Sequence, residues 1–173
     1  MKSINLSGVF FGVALLFSQQ VIADDVEYKV KAGYLYNFTK FITWPEDNSA
    51  TFNLCIVGGD PFGDVINPIE QRSAFGRPIK LFRFNSFNNQ QYCHILFVNG
   101  SIKDKFMFKG MLVIRDAVGE IKEFAAQGGM IGFINRQGKI KLLINLKTLQ
   151  QSDLKISAKL LEVAELVEAE NHD

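Results

Sequence analysis

Two cysteines and two histidines are the side chains of this 173-residue chain best suited to redox, nucleophilic or metal chemistry. Cys93 and His94 are neighbours. A thiol with its base, or a pair of metal ligands, would need both side chains on one side of the backbone, and adjacent positions of a strand face opposite ways. His172 stands next to the last residue, and with no His cluster, no HExxH and no further Cys a zinc site has too few ligands. Neither metal nor cofactor is expected. Asp116, Glu120 and Glu123 are read as solvated charges on a helix, and no GxSxG elbow occurs. The stretch CIVGGDPFG, residues 55–63, has the outline of a phosphate loop. It lacks GxGxxG and the P-loop lysine, and Asp60 and Asp64 put negative charge where a phosphate would sit. Capping by Asp60 with Pro61 at the first helical position accounts for the same residues. Arg77, between Gly76 and Pro78, could hold an anion or a carboxylate, an intramolecular salt bridge being the alternative.

These residues need elements to position them. Apolar runs at 51–57 (TFNLCIV), 78–84 (PIKLFRF), 94–98 (HILFV) and 110–114 (GMLVI) read as strands, with helical stretches at 62–70 and before Gly128. Residues 130–135 and 139–146 flank Arg136-Gln137-Gly138, a connection short enough for a hairpin, and the second run alternates as a half-exposed edge strand would. A closing helix capped by Ser157 is expected, with Leu160, Val163, Ala164 and Val167 on one face and Lys159 and Glu162 off it. The fold class read from this rhythm is α/β: a single domain with a mixed, mostly parallel sheet flanked by helices, a C-terminal β-hairpin and the closing helix.

Residues 1–23 read as an export signal: Lys2 is followed by an apolar run from Ile4 to Phe17, with Val21-Ile22-Ala23 before Asp24 as the cleavage site. The run is shorter than the roughly 20 apolar residues of a membrane span, so no membrane insertion is expected after cleavage. Residues 24–173 form one domain. Charge is nearly balanced, with no basic run to follow a phosphate backbone, so nucleic acid is not an expected partner. In an exported chain an even pair of cysteines, Cys55 and Cys93, favours a bridge, two buried thiols being the alternative.

Residues 31–45, KAGYLYNFTKFITWP, form an aromatic-rich helix. At 100° per residue Val30, Tyr34, Phe38, Phe41 and Ile42 share the core arc, joined at its borders by Leu35 and Trp44, while Lys29, Tyr36, Lys40 and Thr43 lie opposite. Tyr36, with Lys29 and Lys40, is therefore a candidate partner surface, as are Lys159 and Glu162 on the last helix. Asn37 is a polar amide near the apolar arc and a candidate ligand contact with Arg77. Pro45 should end this helix.

The combination of KAGYLYNFTKFITWP, CIVGGDPFG, GRPI (76–79), CHILFV (93–98), GGMIGF (128–133) and the closing INL…LKISAKLLEVA resembles the YfiR-like family of exported bacterial proteins, from about Val30 to Ala164. That resemblance implies a non-enzymatic periplasmic regulator that binds the periplasmic domain of an inner-membrane diguanylate cyclase and represses it, lowering cyclic di-GMP and biofilm formation. It also implies a homodimer and a Cys55–Cys93 bridge. The additional cysteine pair of some members is missing, and Gly132 stands where the GGMINF form has Asn, so neither feature carries over. A periplasmic small-ligand-binding sensor for another signalling system is the alternative function.

Overall fold

The structure, a computed structural model, describes residues 20–87, 90–100, 109–116 and 121–167. The expected signal segment lies outside them except for its last four positions, which are already helical. Helix α1 spans Gln20–Phe41, and β1 (Ile42–Thr43) follows directly, so the helix ends four residues before Pro45 rather than at it. Its buried side is also turned from the expected arc. Lys31, Leu35, Phe38 and Thr39 are buried, whereas Val30 is 45% exposed. The reason is Lys31: its ammonium meets Asp116 at 2.8 Å and its charge lies 4.4 Å from the centre of the Tyr28 ring, so an apparently polar position belongs to the packed side. Asn37, expected near the apolar arc, is exposed.

After β1 come β2 (Phe52–Val57), a 3-10 helix (Gly63–Gln71), β3 (Ser73–Ala74), β4 (Arg77–Phe84), β5 (Ile95–Val98) and β6 (Leu112–Asp116). They are followed by α2 (Ile121–Ala126), β7 (Ile131–Arg136), β8 (Lys139–Ile144), α3 (Leu146–Gln150), β9 (Lys155–Ile156), α4 (Ala158–Leu161) and β10 (Ala164–Leu166). Among the described residues one sheet has the order β10-β8-β7-β6-β5-β2-β4-β3, and β1 pairs separately with β9. The run β4-β2-β5-β6-β7 is parallel, β7 and β8 form the expected antiparallel hairpin, and β10 is parallel to β8. The α/β fold with a mostly parallel sheet is therefore the one expected.

Register sorts the side chains onto two faces. Leu54, Phe97, Ile114 and Phe133 lie on the face that α1 covers, where Phe133 stacks with Tyr34 and Phe38, and Phe62 packs on Phe97. Ile134 and Leu143 face the other way, onto Phe124 of α2. Leu143 is thus buried and β8 is not an edge, because β10 pairs along it. The closing helix is correspondingly short. Ser157 does cap it, accepting the Leu160 N–H, but it stops at Leu161, and Ala164 continues as strand with Val163 left 64% exposed.

The far edge is closed by side chains. Glu70 accepts the Leu81 N–H, and Arg83 reaches back to Asp60, Asn67 and the Gly63 carbonyl, so the 3-10 helix lies along β4. Such cover prevents strand addition to an otherwise open row of backbone groups. Asp60 also accepts the Phe62 N–H, which makes it a turn former ahead of the 3-10 helix rather than its N-cap.

Gly58 joins the ends of three strands. Its N–H donates to Phe84 O, Asn99 N–H donates to Val57 O, and the Asn99 amide donates to Gly59 O. Its φ is +90°, and a Cβ there would collide with the Asn99 carbonyl oxygen. Gly58→Ala is expected to lose roughly 2–4 kcal/mol from backbone strain and steric overlap together. Urea unfolding checks this; an unchanged midpoint would contradict it.

Candidate functional site

Lys29, Gly33, Tyr36 and Lys40 follow one another at helical spacing on the side of α1 turned away from the sheet. All but Tyr36 are exposed. Tyr36 is half-buried and packs on the core, so it is anchored rather than freely solvated. Two cations approach its ring: Lys40 Nζ at 4.9 Å and Arg72 Cζ at 5.4 Å from the centroid. Arg72 follows the 3-10 helix, and sequence reading missed it because its contact with Tyr36 spans two elements that no single period links. Among the described residues neither cation meets a carboxylate. Lys159 and Glu162 are exposed on and just after the single turn of α4. That turn follows the end of α1, where Ser157 N–H donates to Phe41 O.

Arg77 has an intramolecular partner. Its Nη1 donates to Asp47 Oδ1 and Oδ2 at 2.8 and 2.9 Å and to Ser49 O at 3.3 Å. Behind this pair His94 is wholly buried, stacked on Phe52 with ring centroids 4.5 Å apart. The Asn53 N–H donates to His94 Nδ1, which sets the tautomer: the proton is on Nε2, 3.1 Å from Asp47 Oδ2. Burial pushes the His94 pKa down, and the Asp47 carboxylate only partly opposes this. Burial alone would raise Asp47, but hydrogen bonds from Ser49, Arg77 and His94 outweigh it and hold the carboxyl below the usual range. The pair borders an open cavity of about 600 Å³ walled by Trp44, Pro45, Glu46, Asn48 and Phe75. Asn37 is not among its lining residues, so the two candidate ligand contacts are not brought together.

Where the strand order reverses, between β2 and β5, doubly wound sheets carry ligands at the carboxyl ends of the strands. Beyond the carboxyl ends of β2 and β6 several of the chain's own side chains meet. Tyr28 packs edge-on to Phe62 at 5.3 Å and donates to Asp116 Oδ2, and Lys31 bridges Asp116 and Glu27 at 2.8 and 2.6 Å. Asp116 is thus a partner of a buried lysine on a strand, not the solvated helix charge expected. Cys55 and Cys93 form the expected disulfide, tying β2 to the segment that leads into β5. Among the described residues no group of three or more His, Cys, Asp or Glu is disposed to hold a metal ion.

A family model described as YfiR/HmsC-like matches residues 28–165, from the helical turn that carries Tyr28 to the strand β10. Comparison with curated proteins gives no match.

Proposed function

We propose, on the premise that this chain belongs to the YfiR/HmsC-like family, that it is a periplasmic regulator without catalysis of its own, which binds the periplasmic domain of an inner-membrane diguanylate cyclase and restrains it. Cyclic di-GMP and biofilm formation fall as a result. The observation that carries this reading is the family match over residues 28–165, which is most of the chain. Export with removal of residues 1–23 belongs to the same reading. Among the described residues no helix is long and apolar enough to cross a membrane. The partner surface is the α1 row of Lys29, Tyr36 and Lys40, with Lys159 and Glu162 as a second patch.

Deleting the gene should raise cyclic di-GMP, and the tagged protein should co-purify with a membrane-bound cyclase. Unchanged nucleotide levels together with no bound cyclase would remove the reading. Light scattering of the mature chain tests the homodimer that accompanies it. A small-ligand sensor is the second reading, supported by the cavity at Asp47 and Arg77. Ligand-dependent melting shifts that vanish in Arg77→Ala would favour it.

A further inference from the structure

We propose that Lys29, Gly33, Tyr36 and Lys40 of α1, completed by Arg72, are a docking row for an acidic helix of the protein partner; this rests on the regulatory reading above and names the chemistry of its contact. The charges argue for acidity. Arg77, Arg83 and Arg136 each hold a carboxylate, whereas Arg72 lies against the Tyr36 ring, as Lys40 does. A guanidinium that lies beside an aromatic ring rather than on a carboxylate keeps N–H groups available for a bidentate carboxylate. Because Tyr36 is fixed by core packing, the two cations are held on a rigid platform and little freedom is lost when an acid arrives.

Gly33 argues for a helix. It lies inside a 22-residue helix, where glycine is less favourable than alanine, and a Cβ at this position would meet nothing within 4 Å. Among the described residues no neighbour therefore requires it. What its absent side chain does provide is a notch midway along the row, which lets a second helix approach α1 closely. Lys29 and Lys40 are eleven residues apart, about 16 Å along the axis, so the complementary helix carries acidic side chains about three turns apart.

The test uses the mature chain and the periplasmic domain of a diguanylate cyclase. If the native chain does not bind that domain, the regulatory reading fails and the docking row falls with it. If the native chain binds, Lys40→Glu combined with Arg72→Glu should weaken binding by about thirty-fold or more, and added salt should weaken the native complex. Binding within two-fold of native would overturn the row while leaving the regulatory reading standing. Gly33→Leu supplies a control independent of charge. It should raise the melting temperature yet weaken binding about ten-fold, a combination that a purely structural glycine would not give; native affinity would overturn the notch. A carbodiimide should join Lys29 or Lys40 to a partner Asp or Glu. Joining instead to Glu168, Glu170 or Asp173 of the same chain, or to a second copy, would overturn the assignment of the occupant.

Discussion

Replacing Cys55 and Cys93 together by alanine should lower the unfolding free energy by about 4 kcal/mol, the value that chain entropy gives for a loop of this length. The bridge closes a sequence separation of 38 residues, a span that contains the 3-10 helix, β3 and β4. Without it the unfolded chain regains the freedom to separate β2 from β5, two strands that pair in the native sheet. Both cysteines are buried, so alanine is the appropriate replacement; serine would bury a polar hydroxyl at each site. Domains of this size are stable by about 5–15 kcal/mol, so the loss is a large share of the total. Urea unfolding of the oxidised, reduced and double-alanine proteins measures it. A difference below about 1 kcal/mol would mean that the bridge constrains an unfolded state already compact in this region.

How far the chain could be read without the structure depended on whether a residue's environment is local. TFNLCIV is mostly apolar and is closed by Gly58-Gly59, and from Phe52 to Val57 it is a strand buried along its length. Arg136-Gln137-Gly138 is also legible, because Gln137 and Gly138 adopt the positive φ of a tight hairpin turn, with Asn135 accepting the Gly138 N–H. Lys31 was not legible. Its burial follows from Asp116, on a strand 85 residues away, and helical periodicity assigns any lysine to solvent. The segment from Ala158 to Val167 failed for another reason. Leu160, Val163, Ala164 and Val167 satisfy a helical period, yet Leu142 and Ile144 of β8 offer a strand partner to Ala164 and Leu166, and sheet pairing overrides local preference. For the candidate site, Lys29, Tyr36 and Lys40 share a face by spacing alone, but Arg72 comes from another element and only the fold brings it to Tyr36.

Asp47 should prove the most acid-sensitive point of the fold, because three groups converge on it: Arg77 Nη1, His94 Nε2 and the Ser49 N–H. Asp47→Ala leaves the buried His94 N–H without its acceptor and Arg77 without its counter-charge. The expected cost at neutral pH is about 2–4 kcal/mol. The pH dependence separates two contributions. His94 has a folded pKa below its ordinary value near 6.5, so the unfolded chain takes up protons first as pH falls; stability present above that value declines below it. Asp47 is likewise held below its ordinary value near 3.8, and its contribution, present above that pH, is lost as pH falls further and the carboxyl is protonated. Native protein should therefore weaken in two stages on acidification. Asp47→Ala should keep the first stage, since His94 is still buried, and lose the second, so that the gap between the two proteins narrows below about pH 4. Denaturant midpoints followed by circular dichroism from pH 8 to pH 3 would measure both. A gap of constant size across that range would show that the cost of losing Asp47 is not electrostatic, and that its role is to shape the turn at Ser49 rather than to hold the Arg77 and His94 side chains together.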